Sequence, residues 1–359
     1  MRTASLRMIA LKLFDFLEEE YGVSSEDAID YLREDYEISE VISLMSDKDA
    51  LVEQLAVEGS SKNDLIIGGE ADTVIRARRG HDLVFGLNGN DRLLGGPGDD
   101  HLIGDFLPSR KDFDAQGQLI PFEGTTANDT LIGGPGDDVL VDQYGSDRMR
   151  GGKGDDRLIS VSDSGTPKEN KRIPAEVEDG DDLGKLRFAG RFFNPGNYDS
   201  NDRLTGGEGA DVFEWNLLIN APKSIVAEET EDDGEIVWGM GGVAGRNDNY
   251  HDHWVDGIGR DVITDFSGEG GEGDAIIIKG HTVEAMLLSE TETKAVIGVY
   301  SDQQGDGERG GGAHDFDVLG KIVVIHDGAF DFETDVAIEG VDYGAYGQGS
   351  DIFEVYGFV

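Results

Sequence analysis

From Gly59 the chain repeats with a period of nine, and a fixed short period decides an architecture more firmly than any single motif. In register, the first units are GSSKNDLII, GGEADTVIR, ARRGHDLVF, GLNGNDRLL and GGPGDDHLI, running without a gap to Ile103. After residues 104–123 the frame resumes with GTTANDTLI, GGPGDDVLV, DQYGSDRMR and GGKGDDRLI, ending at Ile159. Two more units, NYDSNDRLT and GGEGADVFE, run from Asn197 to Glu214. The eighth position is always apolar: Ile66, Ile75, Val84, Leu93, Leu102, Leu131, Leu140, Met149, Leu158, Leu204 and Phe213. The sixth is Asp64, Asp82, Asp91, Asp100, Asp129, Asp138, Asp147, Asp156, Asp202 and Asp211, with Thr73 the exception. An unstructured glycine-rich linker has no reason to hold such a frame.

Glycine recurs at the first, second and fourth positions, which suits a six-residue turn needing positive φ and close backbone approach. The last three residues then form a short strand whose middle side chain points inward. If two units make one coil, turns eighteen residues apart stack on the same edge. Asp64, Asp82 and Asp100 then share a column, opposite Thr73 and Asp91; in the second block Asp129 stacks with Asp147, and Asp138 with Asp156. Carboxylates one strand spacing apart, about 4.8 Å, repel by several kcal/mol at an effective dielectric of ~20. A divalent cation between successive turns reverses that sign.

The rest of the composition asks for the same cation. The chain holds 75 Asp and Glu against 30 Lys and Arg, a net charge of -45, which repels nucleic acid and anionic membranes and makes the chain repel itself. With 53 glycines it reads as disordered unless a counter-ion turns carboxylates into ligands. Carboxylate and carbonyl oxygens select a hard ion of flexible coordination, calcium before magnesium, and not zinc. There is no cysteine for a disulfide framework or a thiolate site. The N-terminal stretch lacks a small-residue cleavage site, and no apolar run is long enough to span a bilayer.

These units resemble the calcium-binding nonapeptide G-G-x-G-x-D-x-U-x of the repeats-in-toxin (RTX, hemolysin-type) family; GGPGDDHLI, GGPGDDVLV and GGKGDDRLI match every defined position. The resemblance implies a mainly β fold, a right-handed parallel β-roll with several Ca²⁺ ions bound between turns. Its ligands would be the ten aspartates above and the turn glycines Gly80, Gly89, Gly96, Gly98, Gly134, Gly136, Gly152 and Gly154. Thr73, Lys62 and Ala71 depart from the pattern, so the first coil is expected to bind weakly or not at all. The family also implies type I export with an uncleaved C-terminal signal, hence a secreted or cell-surface protein. DIFEVYGFV, acidic and then apolar, has that character, and reads equally as a last strand.

Outside the repeats, residues 1–57 hold one glycine and no proline, and apolar residues at helical spacing predict a small unit of three helices, the third over SDKDALVEQLA. The β-roll is expected over 58–160 with an insertion at 104–123, a polar insertion or linker over 161–196, and over 197–359 the last repeats with a β-rich cap. In that cap DVITDF, DAIIIKG, KAVIGVY and KIVVIHD read as strands. His251 and His253, near Asp248, Asp252 and Asp256, form a candidate metal or catalytic cluster that reads equally as a hydrogen-bonded loop pair. DQQGDG from Asp302 opens like an EF-hand loop but has Ala313 where that loop needs Glu.

None of the common catalytic motifs is present. The first reading is therefore a secreted calcium-binding β-roll that folds on extracellular calcium and serves a structural, surface or matrix role, with a polysaccharide or protein partner. A carbohydrate-active enzyme using the roll's groove or the His251/His253 region is the alternative from another class. A third reading makes the N-terminal helices a partner-binding module carried by an export cassette.

Overall fold

A computed structural model describes residues 40–43, 55–69, 71–105, 127–162, 200–218, 255–268, 270–280, 283–302, 316–341 and 354–358. Its strands form two sheets that face each other across a narrow core. Strands β1 (Glu40–Ser43), β3 (Asp64–Gly69), β5 (Leu83–Leu87), β7 (His101–Ile103), β9 (Val139–Asp142), β11 (Arg157–Val161), β13 (Val212–Leu217), β15 (Ala275–Gly280) and β19 (Val336–Gly340) line up in that order in one sheet. The other sheet runs from β2 (Leu55–Glu58) through β4 (Thr73–Arg76), β6 (Arg92–Leu94), β8 (Thr130–Pro135), β10 (Arg148–Lys153), β12 (Arg203–Glu208) and β14 (Gly259–Phe266). It continues through β18 (Phe316–His326) and β17 (Lys294–Asp302) to β16 (Val283–Thr291). Odd and even strands alternate between the sheets up to β15, and their pairings are parallel. The chain is thus a parallel β-roll with two nonapeptides per coil.

The register obeys the nine-residue frame. Ile66 pairs with Val84, Val84 with Leu102, Leu102 with Leu140, Leu140 with Leu158 and Leu158 with Phe213. On the facing sheet Ile75, Leu93, Leu131, Met149 and Leu204 pair in succession. All eleven eighth-position side chains are buried and belong to one core cluster. A single inward residue per strand suffices because only one layer of side chains separates the sheets. At the C-terminal end this layer turns aromatic. Phe213 meets Phe266 at a centroid distance of 6.1 Å, and Phe266 meets Phe330 edge-on at 5.6 Å.

The stretches expected as strands in the cap are β14, β15, β17 and β18. β16 and β17 pair antiparallel, as do β17 and β18, and this three-stranded ribbon ends the repeat geometry. A one-turn helix α1 (Phe332–Asp335), capped by the Asp331 carboxylate accepting from Glu333 N, leads into β19.

Some expectations change. Glu40–Ser43 and, within Leu55–Glu58, residues 55–57 are expected in a helical unit but form strands β1 and β2, paired with β3 and β4. Leu55 and Ala56 therefore do not continue a third helix; sheet pairing with Thr73 and Val74 overrides their helical spacing. The rest of residues 1–57 lies outside the described residues, as do the segments 106–126 and 163–199. Gly104 and Asp105 still follow the roll: Gly104 N donates to Val141 O at 3.0 Å, so the first departure from the frame begins after Asp105.

Within DIFEVYGFV the described residues, 354–358, are not a strand. Residues 354–358 make a helical turn that lies on the outer face of the first sheet. The Tyr356 hydroxyl donates to Gln143 Oε1 at 2.7 Å, and Asn216 Nδ2 donates to the Val355 carbonyl at 2.9 Å. His101 Nε2 sits 2.9 Å from the Tyr356 carbonyl, and burial holds this imidazole down at about 3, so it is neutral and donates there.

Candidate calcium centre

Each turn brings its sixth-position aspartate to the seam between coils, and the columns run further than the blocks of sequence suggest. One edge stacks Asp64, Asp82, Asp100, Asp138, Asp156, Asp211 and Asp274. From Asp82 onward each Oδ1 accepts the backbone N–H of the aspartate in the preceding coil, at 2.7 to 2.9 Å. The other edge stacks Thr73, Asp91, Asp129, Asp147, Asp202 and Asp261 in the same way, at 2.6 to 3.0 Å. Neither interruption breaks a column: Asp91 bonds to Asp129 across 38 residues and Asp147 to Asp202 across 55.

Fixing Oδ1 leaves Oδ2 pointing into the turn. In Asp82, Asp91, Asp100, Asp129, Asp138, Asp147, Asp156 and Asp211 that oxygen is buried and has no hydrogen-bond partner. A buried unpaired carboxylate oxygen is costly, and a repeated set of them needs a common cause. Burial, with the neighbouring carboxylates adding to it, pushes Asp82 and Asp211 up to about 6, Asp91 and Asp138 to about 7, Asp156 to about 8 and Asp100 to about 9. Asp129 and Asp147 move in the same direction for the same reasons.

Two of the ten sequence-selected aspartates differ. Asp64 has its oxygens taken by Ser60, whose N and Oγ both donate to it, and Asp202 Oδ2 accepts from Ser160 Oγ at 2.8 Å. At the C-terminal end the columns close with protein donors as well: Trp215 Nε1 donates to Asp261 Oδ2 at 2.6 Å and Ser267 N to Asp274 Oδ2 at 2.8 Å.

The turn glycines bring backbone carbonyl oxygens into close register from coil to coil. All eight named above take φ between +118° and +143°. Gly98 shows why no side chain is tolerated: a Cβ there would overlap the carbonyl oxygen of Gly80 in the preceding coil. The same holds at Gly136 against the Gly98 carbonyl, so a line of backbone oxygens faces each turn. Carboxylate Oδ2 and carbonyl oxygen, with neither nitrogen nor sulfur among them, are the donor set of a hard cation that accepts irregular coordination. The residues present fit calcium.

The RTX calcium-binding nonapeptide repeat model matches in four copies, over residues 57–84, 78–106, 123–158 and 198–214. The chain carries RTX calcium-binding nonapeptide repeats. Such repeats bind calcium ions, several per protein. Searches of curated proteins and of solved structures gave no match. The RTX matches end at residue 214, yet the carboxylate columns continue to Asp261 and Asp274. Both lie two residues before an inward apolar side chain, Ile263 and Ile276, which is the signal the nine-residue frame missed when the spacing shifted.

A second ladder also went unread. Fifth-position side chains accept the N–H of the next coil, the reverse direction: Asn63 from His81, His81 from Asp99, Asp99 from Asp137 and Asp137 from Asp155. On the other edge Asp72, Asn90, Asn128 and Ser146 do the same. The consensus leaves this position open, but here the RTX units fill it almost throughout with short polar residues and one His. His251, His253, Asp248 and Asp252 lie outside the described residues, as does the DQQGDG loop after Asp302; Asp256 is buried.

Proposed function

We propose that this is a secreted protein whose roll is assembled by extracellular calcium, and that its product is a rigid acidic surface for structural or matrix contacts. The observation that carries the reading is the set of eight buried Oδ2 atoms without a partner, repeated at one position in successive turns. Asp82, Asp91, Asp100, Asp129, Asp138, Asp147, Asp156 and Asp211 are the ligands on this reading, with turn carbonyls of the glycine positions completing each shell. Asp64 and Asp202 are held by serine instead. Like charges on the bare carboxylates oppose closure of the coils at low cytosolic calcium, and millimolar calcium outside the cell favours it, because binding free energy is folding free energy where no preformed site exists. Single sites need Kd values of only ~10⁻⁴ to 10⁻³ M. Passage through an export channel while unfolded follows naturally from that switch. The exposed shell suits this role: in described coils the residues beside the turns are charged, as in the Lys153–Glu208 and Arg76–Glu58 pairs.

Far-UV circular dichroism during a calcium titration, with magnesium as the control, tests the proposal. A cooperative gain of β-structure in the high micromolar to millimolar range, absent with magnesium, is expected. Full β-structure in metal-free protein at neutral pH, unchanged by calcium, would overturn it.

A further inference from the structure

In the regular turns the first position is glycine for a steric reason. A Cβ at Gly95, Gly133, Gly151 or Gly206 would overlap Oδ2 of the sixth-position aspartate of the same turn. On the edge that carries Asp91, Asp129 and Asp147, the chain breaks this rule by placing Asp142 at a first position, aligned with Ser160 of the next coil. It also places Asp105 at a second position, directly after Gly104. Two carboxylates beyond the repeat pattern thus enter the stack where the other turns carry none.

They converge. One carboxylate oxygen each from Asp105, Asp129 and Asp142 lies within 4.8 Å of the others, and all three residues are buried, at 2%, 0% and 0% exposure. Each carboxylate is oriented from behind. Asp142 Oδ1 accepts from Gln143 N at 2.9 Å and from Asp105 N at 3.3 Å, while Asp129 Oδ1 accepts from Asp91 N at 2.6 Å. The Oδ2 atoms of all three are buried and have no hydrogen-bond partner, and those of Asp129 and Asp142 lie side by side where a Cβ on Gly104 would sit. Asp142 in particular is held at its backbone side and left bare at the other. Among the described residues no Lys or Arg pairs with any of the three.

We propose that Asp105 and Asp142 join the nonapeptide aspartate Asp129 to form a cation site of a second kind, which takes a calcium-class hard cation through three carboxylates rather than one per turn. The nonapeptide turns offer one carboxylate per turn and make up the rest with carbonyls. This site concentrates three negative charges from the first, second and sixth positions of adjoining turns. Affinity in oxygen sites rises with the number of charged ligands, so this site fills before the others. It also stands where residues 106–126 leave the repeat frame, and the ion there joins Asp105, before the departure, to Asp129, after it, and to Asp142 in the next coil. The site depends on the calcium reading above only for the identity of the ion.

Sequence supplies an unusually clean variant, because Asp142→Gly restores the RTX consensus at that position. Calcium would be titrated by isothermal calorimetry into metal-free full-length protein, with bound calcium counted by elemental analysis after gel filtration. Wild type is expected to show a tight class at least ~10-fold stronger than the rest. Asp142→Gly and the shape-conserving Asp105→Asn should each lose that tight class, the site around Asp129 falling back into the weaker nonapeptide class with the bound-ion count unchanged. Metal-free Asp142→Gly should also be no less structured by circular dichroism than metal-free wild type, since it removes a like charge; a merely structural Asp142 would predict the reverse. A tight class that persists unchanged in both variants would overturn this site while leaving the nonapeptide reading intact. No calcium uptake by wild type would overturn both.

Discussion

Removing calcium and lowering the pH should fold the roll, and the geometry of the columns sets the size of the effect. In the metal-free chain Asp91 and Asp138 are buried, and burial raises each from 3.8 to about 7. A raised folded-state value means the native state binds protons more tightly than the unfolded one. Stability from these groups is then fully present below 3.8 and is lost as pH rises through about 7. At about 1.4 kcal/mol per pH unit, each of the two forfeits ~4 kcal/mol between acid and mildly alkaline solution. Two such losses match the whole stability of a typical domain, ~5–15 kcal/mol, and Asp156 and Asp100, raised to about 8 and about 9, add to them. Calcium inverts the slope, because its ligands must be deprotonated and acid then competes with the ion. The assay is thermal unfolding followed by circular dichroism on resin-stripped protein at about pH 5 and about pH 8, with and without millimolar calcium. Metal-free protein should be the more stable at pH 5, and calcium-loaded protein at pH 8. A metal-free β signal that strengthens as pH rises would refute the argument, since it would mean the buried carboxylates are not held apart by their own charge.

Asp138→Ala removes both a bare Oδ2 and the acceptor for Asp100 N at 2.7 Å, so the calcium midpoint in the dichroism titration should rise several-fold and the transition become less steep. Leu140→Ala empties one fully buried eighth position between Leu102 and Leu158, and should cost ~2–5 kcal/mol in denaturant unfolding of the calcium form. Trp215→Phe keeps an aromatic ring but strands Asp261 Oδ2, and should cost ~1–3 kcal/mol in the calcium form, measured the same way. Hydrogen exchange in metal-free protein at neutral pH should show β14, β15, β17 and β18 protected more than β5 to β9, because Asp261 and Asp274 are satisfied by protein donors whereas Asp82 to Asp138 are not. Equal exchange across both ends would contradict that division.

The repeat made most of this molecule legible before any coordinates. A nine-residue frame fixes which side chain is inward, and Ile66 to Phe213 are buried where the frame puts them. It also fixes which aspartates stack. The frame could not show that the columns pass unbroken through two interruptions, because continuity of a stack is a property of space: Asp91 and Asp129 are 38 residues apart in sequence and one hydrogen bond apart in the fold. Asp261 and Asp274 were missed because spacing drifts in the cap while the Asp-x-apolar step survives. Leu55–Glu58 misled because an apolar pattern over so short a run fits either period, and the open edge of Thr73–Arg76 decided between them. Asp142 and Asp105 were invisible to a consensus that records only what matches it.

The first-position residue explains how one scaffold moves from ion-dependent to self-sufficient coils. Along one edge that position runs Gly86, Gly104, Asp142, Ser160 and Trp215, each facing the sixth-position aspartate of its own turn or a neighbour. Glycine leaves Oδ2 of Asp91 and Asp129 bare, so at neutral pH those turns offer an unanswered carboxylate that a cation would neutralise. Asp142 adds charge and deepens the requirement. Ser160 then brings a hydroxyl, and Trp215 an indole N–H, to Asp202 and Asp261, replacing the cation with a neutral donor. From Phe213 on the core also turns aromatic, with Phe213 against Phe266 and Phe266 against Phe330. The two changes do not coincide layer by layer: Asp211 stays bare beside Phe213, whereas Asp202 is answered beside Leu204, and only at Asp261 and Asp274 do protein donors close both columns. The coil of Asp261 and Asp274 is therefore expected to hold its shape without the ion, and calcium to extend the roll from it toward Asp82, which is the division that the hydrogen-exchange experiment measures.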